Sequence, residues 1–241
     1  ERGLLPRSTD FWLDGRGERI WLFTNIAITN LERRDQVPEG VIDPEEAMQA
    51  ISLWKNSLIP PERAGYRGSP YLPLVYAEYE QMRKRKTALT FDDFVPLAVS
   101  ILQSQKRLGK AHVIVDEYQD INYGQQRLIE LLAGERADVM VVGDDDQTIY
   151  EWRGARPTYI IREFQTVFAN KPHTDYTLSR SFRFGPVIAQ CAYNTIRRNT
   201  DRVEKQIIAH RADKPANIEG VEGPDANKTL AQRVVKLVKQ E

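Results

Sequence analysis

The sequence predicts an α/β protein in which helices flank a parallel sheet. Two short apolar runs support this prediction, because each is hydrophobic enough to be a strand buried on both faces: His112–Val115 and Val139–Val142. Helical patterns lie between and after the two runs, and this alternation is typical of strands joined by crossover helices. In addition, acidic side chains directly follow both runs, at the strand ends where open α/β sheets bind their ligands.

The composition is that of an ordinary globular protein. The 241 residues are 41% hydrophobic and 28% charged, which allows one or two domains with a sizeable core. Basic and acidic residues number 34 each, so any nucleic acid would have to meet a local positive patch. The single cysteine, Cys191, predicts a packed thiol in a reducing compartment. No apolar run reaches the roughly 18 residues that a membrane span needs.

The first elements of the chain are predicted to be a hairpin and a helix. Aromatic residues on both sides of Asp14-Gly15 favour a hairpin across residues 11–23. A helix start is predicted at Pro44, with Asp43 as its N-cap and Glu46 completing a capping box.

Two further helices are predicted before the first apolar run. The prolines at 60 and 61 end the preceding helix, and apolar spacing then predicts a helix from Leu72. That helix finishes in the basic run Arg83–Lys86, which is typical of a solvated carboxyl end. Thr90 is a candidate cap for the next helix, in which Pro96 should cause a kink.

Beyond the first apolar run, strands and helices continue to alternate. Helices are predicted across 125–132, 158–168 and 186–198, with a short strand at Tyr176–Leu178. A last amphipathic helix carries Leu230, Val234, Leu237 and Val238.

The residues that follow the two apolar runs suit the binding of a nucleotide. After the first run, Asp116 can hold a hydrated Mg²⁺ while Glu117 orients or deprotonates the attacking water. After the second, the amide of Gln147 can sense a terminal phosphate. The three acids Asp144–Asp146 would repel one another in a bare turn, so a cation or firm backbone bonding is expected there. The alternative is that these acids are only turn formers or helix caps.

An aromatic pair follows the second acidic cluster. Tyr150 and Trp152 stand two residues apart next to Arg153, which favours a platform on which unpaired bases stack. Each stacked base contributes about 1–3 kcal/mol. The alternative is that both rings belong to the core.

At these positions the sequence resembles a known family. Residues 113–122 (VIVDEYQDIN) and 141–155 (VVGDDDQTIYEWRGA) resemble motifs II and III of the UvrD/Rep/PcrA family of superfamily-one DNA helicases, and Ser181–Arg183 resembles motif IV. Residues 76–79 and 90–94 are similar to the stretch that precedes motif II. The resemblance is clear from about residue 71 to residue 199.

The resemblance implies a role for each matching residue. Asp116 and Glu117 would hold Mg²⁺, with Glu117 as the water-activating base, and Gln147 would contact the γ-phosphate of ATP. Arg183 would be an arginine finger, and Phe182, where the family usually has Tyr, would stack on adenine. Single-stranded DNA would be met by Tyr150, Trp152 and Arg153.

The resemblance also implies a domain plan and a function. Residues 1–86 would form a mainly helical insertion, 87–170 part of a first RecA-like motor domain, and 171–241 the beginning of a second. The protein would couple hydrolysis of Mg-ATP to 3′ to 5′ movement on single-stranded DNA and at duplex junctions. We therefore expect a cytoplasmic, nucleoid-associated helicase.

One part that the family needs is missing from the sequence. The loop Gly-x-x-x-x-Gly-Lys-Ser/Thr, which holds the β and γ phosphates, occurs nowhere in it. We therefore expect an internal piece of a longer protein, which binds ATP poorly by itself. Two alternatives stay open: a non-catalytic DNA-binding or regulatory relative that has lost the loop, and a metal nuclease that uses Asp116, Glu117 and Asp120.

Overall fold

The structure, a computed structural model, describes residues 18–65, 68–86, 88–104 and 111–211, together with 213, 215, 216, 218 and 220–238. The described residues up to Asn170 belong to one compact unit, and those from Lys171 onward belong to a second. In the described part of the chain, no helix has the length and apolar character required to cross a membrane.

Four helices make up the first part of unit one. They are α1 (Glu18–Arg33), α2 (Pro44–Asn56), α3 (Leu72–Arg85) and α4 (Phe91–Ser104). Helices α1, α2 and α3 share one apolar core, in which the rings of Trp54 and Tyr76 stack at 5.6 Å. Helix α4 continues through Pro96.

The predicted hairpin is wrong where the structure describes it. Residues 18–23 lie in helix α1, and residues 11–17 lie outside the described residues. Helix α1 forms because buried side chains recur at helical spacing: Thr24, Ala27, Ile28 and Leu31. That pattern starts beyond Asp14-Gly15 and sets the conformation of residues 18–23.

The predicted start of α2 is confirmed. Asp43 has extended backbone, and its carboxylate accepts a hydrogen bond from the N–H of Glu45 at 2.9 Å. Pro44 occupies the first helical position. The predicted capping box is wrong, because the carboxylate of Glu46 does not turn back to Asp43 but lies against Gly68, in the loop that precedes α3.

At the basic end of α3, Lys84, Arg85 and Lys86 are exposed as the sequence predicts, but Arg83 is not. Arg83 is buried, and its guanidinium contacts Glu80 at 2.7 Å and Asp93 at 3.2 Å. Lys55 of α2 joins the same two carboxylates, at 2.7 Å and 2.6 Å. The backbone N–H and the hydroxyl of Thr90 both donate to Asp93. We call Lys55, Glu80, Arg83 and Asp93 the ionic cluster; it ties α2, α3 and α4 together.

The two predicted strands are confirmed. Strand β1 (His112–Val115) pairs in parallel with β2 (Asp138–Val141), so that Val115 lies opposite Val141. The crossover helix α5 (Tyr123–Ala133) begins with a capping box between Asn122 and Gln125. The expected burial of both faces is not found among the described residues, because Ile114 and Met140 are 72% and 58% exposed on one face of a two-stranded sheet.

The other face of this sheet packs on a second apolar core, which includes Tyr118, Tyr159 and Phe168. The predicted helix across 158–168 is formed by a π turn, Tyr159–Glu163, followed by helix α6, Phe164–Val167.

In unit two, strand β3 (Arg180–Ser181) pairs in parallel with β4 (Ile208–Ala209). The predicted strand at 176–178 is wrong, since Tyr176 and Leu178 are largely exposed and these residues form no strand. Helices α7 (Pro186–Ile196) and α8 (Ala226–Val238) match their predictions. Cys191 is exposed on α7, so the prediction of a packed thiol is also wrong; α7 buries Ala189 instead.

Candidate functional site

The two acidic loops leave the sheet side by side. The backbone N–H of Val142 donates to the carbonyl of Val115 at 2.8 Å, and the N–H of Tyr118 donates to the carbonyl of Val142 at 2.9 Å. These bonds extend the parallel ladder past the ends of β1 and β2. As a result, the residues after Val115 and those after Val142 emerge at the same edge of the sheet.

Asp116 and Glu117 lie exposed at this edge. Glu117 adopts left-handed backbone geometry (φ 51°, ψ 42°), which is unfavourable for a residue with a side chain. The carboxylate of Asp116 accepts a hydrogen bond from the N–H of Glu117 at 2.9 Å. A strained backbone of this kind persists where the surrounding structure holds it, and it is concentrated at functional sites.

Gln119 connects the two loops, although sequence reasoning passed over it. Its side chain is buried, with only 1% exposed. Its carbonyl oxygen accepts a hydrogen bond from the N–H of Asp144 at 3.0 Å, and its amide nitrogen donates to Glu117 Oε2 at 2.8 Å. No sequence signal distinguishes Gln119, because its partner Asp144 lies 25 residues away in the chain and strand pairing brings the two together.

Gln147 is joined to the same network. Its amide nitrogen donates to Asp144 Oδ2 at 2.6 Å, while Asp144 Oδ1 accepts from the N–H of Asp146 at 3.2 Å. The backbone bonding expected for the acidic triplet is therefore present. The carboxylates of Asp144, Asp145 and Asp146 each place an oxygen within 4.8 Å of the others. Such oxygens are the ligands that Mg²⁺ prefers, so this edge is chemically suited to a hydrated magnesium ion.

The aromatic pair is on the surface and not in the core. Trp152 is 67% exposed, and its ring centroid lies 6.5 Å from that of Tyr150. The guanidinium of Arg153 lies 4.9 Å from the centre of the Trp152 ring. The loop is fastened to the sheet region by a bridge between Asn122 and Ala155. The three side chains form an exposed cationic and aromatic surface. Such a surface is suited to a polymer that has flat bases and a negatively charged backbone.

The remaining predicted residues lie in unit two. Phe182 follows β3 and is largely exposed. The imidazole of His210, a residue that sequence reasoning missed, lies 4.4 Å from the Phe182 ring, since His210 follows the paired strand β4 and donates its N–H to the carbonyl of Ser181. The N–H of Arg183 donates to the hydroxyl of Ser181 at 3.3 Å.

Comparison with known proteins gives a consistent result. Residues 17–168 match the UvrD/REP helicase N-terminal domain. The chain is 30% identical over 216 residues to the ATP-dependent DNA helicase Rep of Escherichia coli, a match that covers 73% of this chain and 32% of that protein. It is 31% identical over 213 residues to the ATP-dependent DNA helicase PcrA of Leuconostoc citreum, covering 79% and 28%. The chain thus spans about a third of the length of the curated relatives it matches.

Proposed function

Because this chain belongs to the UvrD/REP helicase family, we propose that it is part of an ATP-dependent motor that moves 3′ to 5′ on single-stranded DNA. The observation that carries the proposal is the hydrogen-bonded path from Glu117 through Gln119 and Asp144 to Gln147. It places an acid suited to activating water and an amide suited to a terminal phosphate at one sheet edge. Phosphoryl transfer depends mainly on such positioning.

On this proposal the chain contributes to two RecA-like motor domains. Residues 1–86 would be the helical insertion, 87–170 part of the first motor domain, and 171–241 the start of the second. The ionic cluster would then hold α2 and α3 of the insertion against α4 of the motor domain.

The chemistry is assigned to the residues at the sheet edge and to unit two. Asp116, assisted by Glu117, would hold Mg²⁺, which neutralises charge on the phosphates of ATP when it is bound. Glu117 would orient the attacking water and accept its proton, and Gln147 would contact the γ-phosphate. Arg183 would stabilise the transition-state charge, and Phe182 would stack on the adenine ring.

The exposed surface of Tyr150, Trp152 and Arg153 is proposed to hold unpaired bases. Stacking on an aromatic ring tolerates any base sequence, which a translocating motor requires. The substrates would be single-stranded DNA and duplex junctions, and the protein would work at the nucleoid.

The phosphate-binding loop would come from another part of a longer protein, because the 241 residues contain no Gly-x-x-x-x-Gly-Lys-Ser/Thr sequence. We therefore propose that these residues alone bind ATP poorly and do not unwind DNA. A dissociation constant for ATP tighter than about 10 μM for the 241-residue chain would contradict this.

The test is ATP hydrolysis by the full-length protein with and without single-stranded DNA, comparing wild type with Glu117→Gln. The proposal expects DNA to stimulate wild-type turnover and the substitution to abolish it. Unchanged turnover in Glu117→Gln would disprove the assignment of the base. A wild-type protein that binds DNA without hydrolysing ATP would favour the non-catalytic alternative.

A further inference from the structure

We propose that Gln119 is a positioning residue that couples Glu117 to the loop bearing Gln147. When Gln147 contacts the terminal phosphate, Gln119 then adjusts the orientation of Glu117, which activates the attacking water. This inference rests on the function proposed above.

The carboxamide of Gln119 uses both of its ends. Its oxygen accepts a hydrogen bond from the N–H of Asp144 at 3.0 Å, and its nitrogen donates one to the carboxylate of Glu117 at 2.8 Å. The nitrogen is also 3.4 Å from Asp120 Oδ2. Because the side chain is buried, it has few alternative rotamers, and losing either bond would leave a polar group without a partner away from water. The orientation of Gln119 is therefore strongly determined.

The partner on one side, Glu117, needs such an anchor. Its side chain is exposed and would otherwise sample several rotamers. The bond from Gln119 holds the carboxylate in one direction on a backbone that is already in the left-handed region. A base held in one direction loses less entropy in reaching the transition state.

The partner on the other side, Asp144, is bonded at both ends. Its N–H is bonded to Gln119, and its carboxylate accepts from the amide of Gln147 at 2.6 Å. A displacement of Gln147 on contact with a phosphate therefore shifts Asp144, and through it the carboxamide that holds Glu117. Contiguous hydrogen bonds of this kind can carry coupling, which a double-mutant cycle measures directly.

Gly143 leaves the room that this arrangement requires. A Cβ atom at Gly143 would lie 2.5 Å from Gln119 Oε1 and 2.7 Å from Ile160 Cδ1. Any side chain there would push the carboxamide away from Asp144. Gly143→Ala therefore disturbs the link while keeping Gln119 itself.

The experiment measures kcat and KM for ATP in the full-length protein, saturated with single-stranded DNA. Gln119→Leu is compared with Gln126→Leu, a matched control. Gln126 is equally buried and makes two side-chain hydrogen bonds, to Tyr118 and Glu130. We expect Gln119→Leu to lower kcat about 10- to 100-fold, as loss of a positioning partner does, with KM within about threefold. Gln126→Leu should leave kcat near that of the wild type.

Two further variants keep the test decisive. Gly143→Ala should reproduce the loss in kcat even if Gln119→Leu fails to fold, whereas Gly65→Ala, where a Cβ meets no neighbouring atom, should not. In a cycle with Gln147→Ala, the double variant Gln119→Leu/Gln147→Ala should lose less activity than the product of the two single losses.

The outcomes separate this inference from the proposed function. If wild-type hydrolysis is not stimulated by DNA, or Glu117→Gln does not reduce it, the proposed function fails and this inference falls with it. If both behave as expected but Gln119→Leu and Gly143→Ala keep the kcat of their controls, only the role of Gln119 is overturned. If the double variant Gln119→Leu/Gln147→Ala loses as much activity as the product of the two single losses, the coupling between Gln119 and Gln147 is overturned.

Discussion

The ammonium group of Lys55 lies 2.6 Å from Asp93 Oδ1, and neither side chain is more than 5% exposed. The pair joins α2 to α4 across 38 residues of sequence. A buried charge is tolerated only when it is paired, so removing one partner destabilises the protein strongly even where the intact pair adds little.

Lys55→Met is therefore expected to lower the free energy of unfolding by about 3–5 kcal/mol, because it leaves the carboxylates of Glu80 and Asp93 with one cation fewer. Urea unfolding of the protein followed by circular dichroism measures the loss. The matched control is Lys84→Met, an exposed position on α3, which should stay within about 0.5 kcal/mol of the wild type. Equal stability of the two variants would refute a structural role for the cluster.

The lowered pKa of Glu80 makes the free energy of unfolding depend on pH. Burial alone would raise the pKa of Glu80, but hydrogen bonding from Arg83 and the charge of Lys55 outweigh it and lower the pKa from 4.5 to about 2. Because the folded value is below the unfolded one, the stabilisation is complete above about pH 4.5 and is lost as the pH falls toward 2. The difference corresponds to about 3 kcal/mol.

The measurement is the free energy of unfolding between pH 7 and the acid range, for wild type and Glu80→Gln. The variant should be less stable than wild type at neutral pH, and the gap should narrow as the pH falls below about 4.5. A gap that stays constant down to the acid range would show that Glu80 does not supply this dependence.

Trp152→Ala is expected to weaken binding of single-stranded DNA by about 1–3 kcal/mol, the contribution of one stacked base. Fluorescence anisotropy of a labelled oligonucleotide at fixed salt gives the affinity. Trp152→Phe should retain part of it, since the ring remains. Trp21→Ala removes another exposed tryptophan, on α1, and should leave binding unchanged. An equal loss in both alanine variants would argue against the surface formed with Arg153.

Arg183→Ala is expected to separate ATP binding from ATP hydrolysis. An arginine finger contributes about 10³–10⁵ to the rate, so kcat should fall by at least about 10³ while ATP still binds. Stimulated hydrolysis and nucleotide binding by the full-length protein provide the two readouts. Arg197→Ala, at the exposed end of α7, is the control. A loss of binding equal to the loss of turnover would mean that Arg183 holds the ground state as well.

Elements whose signal is local could be predicted from the sequence. Strands β1 and β2 are apolar runs bounded by polar residues, α2 starts at Asp43-Pro44, and α5 carries its own capping box. In each case the determining contacts lie within a few residues of one another, so spacing and residue type are sufficient.

The predictions that the structure contradicts concern residues whose determining contacts lie between elements. Basic residues suit a helix end and so predict Arg83 in solvent, but its partner Asp93 lies on the next helix and brings it inside. A turn signal favours the hairpin, while the buried stripe of α1 depends on packing against α2 and α3. Contacts between elements override local preference.

The same division applies to the candidate site. The sequence by itself determined which acids, amides and rings follow each strand, because strand ends and motif residues are adjacent in the chain. Only the tertiary structure decided that Gln119, which holds Glu117, also bonds to Asp144, 25 residues further along the chain, and that Trp152 faces solvent. The pairing of β1 with β2 brings Gln119 next to Asp144. The spacing of residues within one segment cannot specify a hydrogen bond between two different segments.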